Sequence, residues 1–238
     1  MKSITANPLN TILYIDGFNL YYSLKNTPYK WLNISALVNS VLDPSWHHIV
    51  QIKYFTAQVK RKQKDSSNVM RQNIYLRALK TLPNLEIIFG QFKKRHINLS
   101  LAIKNPDKLK QVKKIIGNNI NPFFKYEGKE TDVNIATHII YDCCKEDISS
   151  IAILSNDTDL KLPIWYARKK LKKRVLVITP TGKESGSIVS LQGHQDLQKI
   201  SNKTISLTEE NLKKSQFPET MKDAKGKSFC PPKWKEQT

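Results

Sequence analysis

Ile151-Ala-Ile-Leu-Ser-Asn-Asp-Thr-Asp-Leu160 is the stretch from which the fold is read. Four apolar residues, 151–154, have the length and kind expected of a buried parallel strand, and they run without Gly or Pro into Ser155, Asn156, Asp157, Thr158 and Asp159. Asp157 and Asp159 therefore fall just past the carboxyl end of a strand, where open α/β sheets bind their ligands. Another acid arrives the same way: residues 11–15 form a second short apolar strand, Asp16 follows at once, and Gly17 and Asn19 open a helix. Asp132 begins a further helix. Ile135, Ala136, Ile139 and Cys143 recur from it at helical spacing, which puts Asp132 on the inward stripe. A carboxylate placed inward needs a cation or donors to meet it, because burial alone raises its pKa and neutralises it.

The chain has 238 residues, enough for one α/β domain or one and a half with a real apolar core. Its net charge of +19 points to a polyanion, nucleic acid or an anionic membrane surface, although abundant Lys with few Arg also follows from nucleotide bias in the coding genome. Cys143, Cys144 and Cys230 fit neither a disulfide framework nor a zinc site, and a reducing cytoplasm suits them best. Residues 1–10 lack the apolar core of a signal peptide, and no apolar run approaches the roughly 20 residues of a spanning helix, so secretion and membrane insertion are not expected.

Working outward, strand 11–15 is followed by helix 18–25, helix 33–42 stopped near Pro44, strand 49–55 and the basic loop 60–64. Helix 67–81 has Met70, Ile74, Leu76 and Leu79 as core candidates, and strand 85–89 ends at Gly90. This alternation predicts a mainly parallel sheet with helices on both faces. Residues 91–130 interrupt it with Lys93, Lys94, Arg95 and a run of further lysines, and read as an elaborated basic loop near the site that contacts a phosphate backbone. The rhythm then resumes with helix 132–145, strand 150–154, helix 160–171 and strand 174–178, which is left as the sheet edge. The expected division is a domain at 1–180 and a C-terminal extension at 181–238, with 200–207 extended, 207–214 a short helix, and Phe217, Phe229 and Trp234 anchoring an ordered arm.

If the strands ending at Asp16 and Leu154 are neighbours, Asp16, Asp132, Asp157 and Asp159 share one sheet edge. Carboxylates so close repel one another, and Mg²⁺ or Mn²⁺, which prefers hard oxygen ligands, is the natural counter-ion. Such an ion can polarise a phosphodiester and orient a water nucleophile. Taken singly, each of these Asp residues is also an ordinary helix cap.

Three runs carry a family resemblance: Tyr14-Ile-Asp-Gly-Phe-Asn-Leu20, Lys129-Glu-Thr-Asp-Val-Asn-Ile-Ala136 and Ser155-Asn-Asp-Thr-Asp-Leu160. They resemble the signatures of NYN-domain proteins, the LabA-like branch of the PIN-like ribonuclease superfamily. Tyr75-Leu-Arg-Ala-Leu79, Gly90-Gln-Phe92 and Ser215-Gln-Phe-Pro218 with Trp234 extend the likeness over nearly the whole chain. The resemblance implies a three-layer α/β/α, PIN-like (Rossmann-like) domain that hydrolyses RNA with Mg²⁺ or Mn²⁺. Asp16, Asp132, Asp157 and Asp159 would be catalytic and metal-binding, with Asn19, Ser155, Asn156 and Lys129 touching substrate or orienting these groups. The implied products bear a 5′-phosphate and a 3′-hydroxyl. Glu130 departs from the pattern, standing where relatives often carry Gly or a small residue, and reads as an extra ligand or, in preference, a surface residue.

The expected function is that of a cytoplasmic, metal-dependent endoribonuclease acting on single-stranded or structured RNA such as tRNA. A homodimer is one open assembly. A non-catalytic RNA-binding regulator and, behind it, a small-molecule phosphohydrolase are the alternatives. Tyr21 or Tyr22 could stack on a base, whereas Phe18 reads as core. His47, His48, His96, His138 and His194 read as ordinary polar residues, and Gly182 to Gly186 as a flexible turn rather than a phosphate loop.

Overall fold

The computed structural model describes residues 7–58, 67–97, 106–107, 110, 123–184, 187–190 and 195–235. The expected α/β class holds. Strands β1 (Leu9–Asp16), β2 (His47–Ala57), β3 (Leu85–Ile97), β4 (Phe123–Lys129), β5 (Ser150–Leu154), β6 (Arg174–Thr179) and β9 (Lys203–Ser206) form one sheet in the order β4-β3-β2-β1-β5-β6-β9. Every pairing is parallel except β3 with β4, so six parallel strands carry one antiparallel edge. From β1 the chain steps outward through β2 to β3, then returns to β5 on the other side of β1. The switch in direction lies between β1 and β5.

Alternation along the strands divides the core. On β1, Leu13 and Ile15 face a cluster with Leu20 and Leu24 of helix α1 (Gly17–Leu24), Leu37 of α2 (Ile34–Val41) and Leu79 of α3 (Ser67–Leu79). Ile12 and Tyr14 face the opposite cluster, with Ile135 and Ile139 of α4 (Thr131–Cys143), Ile164 of α5 (Lys161–Lys169) and Leu197 of α6 (Gln195–Ile200). Both faces are thus covered, as a parallel sheet requires.

Four expectations are corrected. Strand β6 is not the edge, since β9 pairs with it in parallel from Leu176↔Lys203 to Thr179↔Ser206. The extended reading of 200–207 holds in β9, but its four residues Lys-Thr-Ile-Ser are too short and too polar to announce that they pair into the sheet. The region 91–130 is in part regular: β3 runs on to Ile97 and β4 folds back along it. The supposed turn after β6 belongs to a hairpin of β7 (Thr181–Glu184) and β8 (Ser187–Ser190). Met70 is 60 % exposed, because the buried side of α3 is made by Tyr75, Leu76, Ala78 and Leu79 in its second half.

Beyond β9, helix α7 (Glu209–Lys214) starts at a capping box between Thr208 and Asn211. The arm that follows is ordered through Phe217 and Trp234, which pack with Trp31 and Tyr75 at ring separations of 5.6–6.3 Å. Phe229, expected as an anchor, is exposed on the hairpin β10 (Thr220–Asp223) and β11 (Gly226–Phe229). Arg77 of α3 holds the same hairpin through two 2.7 Å contacts to Asp223. Among the described residues no helix is long and apolar enough to cross a membrane.

The junction of β1 and α1 is tight. A Cβ on Gly17 would lie 2.6 Å from the Phe55 carbonyl oxygen and 2.7 Å from the Tyr54 ring. Gly17→Ala should therefore force β1 and β2 apart and lose about 1–3 kcal/mol in urea unfolding. Unchanged stability would mean that the junction can shift freely.

Candidate metal centre

The parallel register of β1 and β5 runs from Thr11↔Ser150 to Ile15↔Leu154, so the next residues, Asp16 and Ser155, emerge side by side. Asp16 is buried and caps α1. Its Oδ1 accepts the Phe18 and Asn19 backbone N–H groups at 3.1 and 2.9 Å, which leaves Oδ2 turned to the Ser155 hydroxyl at 3.3 Å. Ser155 Oγ also accepts the Asp157 N–H at 3.1 Å, and Asn19 Oδ1 accepts the Asn156 N–H at 3.1 Å. The two strand ends are thereby tied together by the side chains the sequence singled out. Asp157 in turn caps a short 3₁₀ turn (Thr158–Leu160) by accepting the Asp159 N–H at 3.0 Å.

Asp16, Asp132 and Asp157 each offer a carboxylate oxygen, and these oxygens all lie within 4.8 Å of one another. Asp159 stays at the exposed rim, outside this triad. Asp132 reaches the triad by another route than expected. Ile135, Ile139 and Cys143 are buried, but Asp132 is exposed. At the first turn of α4 the inward stripe has run past the end of the core, so it opens on the mouth between β1 and β5 rather than on apolar side chains. Glu130, just before α4, is exposed with φ of 73°, a left-handed conformation that favours Gly. Such strain gathers at functional loops.

The electrostatics follow from this geometry. Burial, opposed by the Asn19 N–H and reinforced by the charges of Asp132 and Asp157, pushes Asp16 up to about 6. Partial desolvation at this mouth and the charges of Asp157 and Asp159 raise Asp132 as well, although its side chain is open to solvent. Among the described residues no Lys or Arg forms an ion pair with any of the three. Closely spaced hard oxygens suit a Mg²⁺ or Mn²⁺ ion, and among the described residues the triad is the group that could hold one.

The basic residues lie near by in the backbone trace. Strand β2 ends at Ala57 opposite Gly90, while β3 continues with β4 alone through Lys93, Lys94 and Arg95. The ribbon therefore projects past the carboxyl end of the sheet, the end that bears the triad. Lys129 closes β4, three residues before Asp132. Loop 60–64 lies outside the described residues. Tyr22 is exposed on α1.

A second polar cluster, which the sequence reading missed, is buried between β2 and α4. Lys53 Nζ lies 2.5 Å from Asp142 Oδ2 and 3.1 Å from His138 Nδ1, Tyr14 donates its hydroxyl to Asp142 at 2.8 Å, and Lys145 closes on Oδ1 at 2.7 Å. Burial alone would raise Asp142, but Lys145, Lys53 and Tyr14 together hold it below the ordinary carboxylate range. The signal was Lys53 itself, a cation in the middle of a buried apolar strand, which must have a partner.

No family model matches the chain. It is 29 % identical over 205 residues to a Pseudomonas putida protein named 6-hydroxy-3-succinoylpyridine 3-monooxygenase HspA, a match that covers 78 % of this chain and 64 % of that protein. The chain thus spans less than two thirds of that relative's length. A crystal structure of a Vibrio parahaemolyticus protein of unknown function superposes with a TM-score of 0.48 at 15 % identity, over 88 % of this chain and 98 % of that one.

Asp16 is raised from 3.8 to about 6, so its ionised form opposes folding: the penalty is complete above about pH 6 and gone below about pH 4. Without metal, Asp16→Asn should melt higher than wild type at pH 7.5, by about 1–3 kcal/mol with the cap retained, and the gap should close as the pH falls through that window. Added Mn²⁺ should raise the wild-type melting temperature and leave the variant nearly unmoved. A pH-independent gap, or equal metal responses, would rule out the shared charged site.

Proposed function

We propose that this chain is a metal-dependent ribonuclease that hydrolyses internal phosphodiester bonds of RNA. The observation that supports the reading is the convergence of Asp16, Asp132 and Asp157 at the switch point of the sheet with no cation among the described residues paired to them, in a chain of net charge +19. The resemblance of the runs around these acids to NYN-domain signatures points the same way. Asp16, Asp132 and Asp157 would hold a divalent ion, with Asp159 at the rim. Bound there, the ion would supply charge stabilisation for the phosphodiester oxygens and help deprotonate an attacking water.

The chain's own residues have separable tasks. Asp16 is fixed by the α1 N–H groups and keeps one oxygen for the centre. Ser155 and Asn19 hold the 155–157 turn against β1, so that Asp157 stays in register with Asp16. In the overall reaction the water oxygen adds to phosphorus, the bond to the 3′-oxygen breaks, and the proton ends on that oxygen. The products are a 5′-phosphate and a 3′-hydroxyl. Lys93, Lys94, Arg95 and Lys129 belong to the segments that would contact flanking phosphates, an electrostatic role that does not read sequence. Few Arg among many Lys favours backbone contact over bidentate base reading.

The similarity to the Pseudomonas protein favours a second reading, hydroxylation of a pyridine ring. That reaction puts one oxygen atom of O₂ on ring carbon 3 in place of the succinoyl group this carbon carries, breaks the C–C bond to that group, sends the other oxygen to water, and draws electrons from a reductant such as a nicotinamide cofactor.

The test is end-labelled tRNA and unstructured RNA incubated with Mn²⁺, Mg²⁺ or chelator, beside an Asp16→Asn/Asp157→Asn double variant. Metal-dependent cleavage is expected from the wild type, with a loss of at least 100-fold in the variant. RNA retained in a salt-sensitive way but never cut would turn the reading into that of a binding regulator. Oxygen uptake with 6-hydroxy-3-succinoylpyridine and NADH, and no RNA cleavage, would favour the second reading.

A further inference from the structure

Helix α1 buries Gly17, Leu20 and Leu24 against the sheet, and these suffice to seat it. Its outward side carries aromatic residues that the core does not use. Tyr22 is 64 % exposed and Tyr21 37 % exposed. They pack on one another and on Phe18 instead: Phe18 and Tyr22, one turn apart, stack at 6.5 Å with ring planes 28° apart, and Tyr21 meets Tyr22 edge-on at 5.6 Å. Phe18, read from sequence as core, is only half-buried. Leaving large aromatic surface in water forgoes burial energy that an ordinary polar residue would not put at stake, so such a surface marks a contact site.

The position of this ridge says what it meets. It starts at Phe18, whose N–H is held by the triad's Asp16, and rises along α1 at about 1.5 Å per residue, which puts Tyr22 roughly 9 Å beyond Asp16 along the axis. Exposed Lys25 continues the ridge one turn on, and the Arg71 guanidinium lies close enough to Tyr21 to act on its hydroxyl's charge. Flat rings flanked by cations, on a chain of net charge +19, match a strand that alternates bases with phosphates.

We infer that Tyr22, backed by Phe18 and Tyr21, is a stacking platform for an unpaired base of single-stranded RNA one or two nucleotides from the phosphate at the acidic triad. Every base has a π-face, so the platform selects unpaired over paired RNA without selecting a base. This rests on the nuclease reading for the role of the triad, though not for the binding itself.

Binding is measured by fluorescence anisotropy of 5′-fluorescein-labelled dodecauridylate and of an abasic oligonucleotide of the same length, in chelator so that nothing is cut. Wild type, Tyr22→Ala and Tyr22→Phe are compared, with Mn²⁺-dependent cleavage by the wild type read in parallel. Tyr22→Ala should bind dodecauridylate about five- to a hundred-fold more weakly, at an unchanged melting temperature. Tyr22→Phe should stay within about three-fold, since the ring and not the hydroxyl stacks. On the abasic strand wild type and Tyr22→Ala should match. Equal binding of dodecauridylate by wild type and Tyr22→Ala, equal weakening on both strands, or no binding by wild type would each overturn the platform. Tyr22-dependent binding without cleavage in Mn²⁺ would leave the platform standing and remove the nuclease reading, and cleavage without Tyr22 dependence would do the reverse.

Discussion

One oxygen of Asp16 is committed to the helix and the other is not, and much of the molecule serves that division. The two N–H groups of α1 grip Oδ1, so the side chain cannot swing away from its neighbours to relieve their repulsion. Its backbone is equally fixed, because β1 is the central strand with β2 on one side and β5 on the other. Gly17 then lets the chain leave the strand directly against the Phe55 carbonyl, a turn that any side chain would obstruct. The carboxylate is held where its charge is least welcome.

The same molecule shows how a structural carboxylate is treated when no ligand is intended. Asp142 is buried as Asp16 is, yet Lys53, Lys145 and Tyr14 surround it and its pKa falls. Asp16 has two backbone donors and a hydroxyl, faces Asp132 and Asp157, and its pKa rises. A chain with 39 Lys and Arg residues is not short of cations. That none is spent on the triad among the described residues separates the two clusters: one closes the packing of α4 on β2, and the other is left open at the mouth of the sheet. Perturbed carboxylates in such clefts are the usual mark of a functional site.

What the sequence made legible follows from which signals are local. Apolar runs ending in acids placed β1 and β5 and their neighbours, because a parallel strand buried on both faces writes itself as a continuous run. Neighbouring strand ends then put Asp16 and Asp157 together without any side-chain detail. The misses have a common cause, which is that partners distant in sequence decide them. Lys-Thr-Ile-Ser becomes β9 only because β6 offers an unpaired edge, and 91–97 becomes strand only because 123–129 returns along it. Met70 sits at helical spacing from core residues but on a turn of α3 that the core does not reach, and Asp132 stands in the same relation to α4. Periodicity gives the direction of a side chain and not how far the core extends along the helix.

The β3–β4 ribbon leaves the sheet two strands from β1, about 10 Å at the usual spacing, and its basic residues 93–95 lie five to seven residues beyond Ile88, the β3 residue level with Asp16. A basic segment and an acidic triad at the same end of the sheet act with opposite sign on a polyanion long enough to span both. On the nuclease reading, a phosphate drawn in by the ribbon meets carboxylates that repel it, and a divalent ion at the triad removes that repulsion. Ion and RNA then favour each other's binding, and by linkage the factor is the same in both directions. The rigid hold on Asp16 matters here, because a side chain free to turn away would relieve the repulsion by itself and uncouple the two ligands. The carboxylate held fixed at the β1–α1 junction thus gives the site a reason to wait for both.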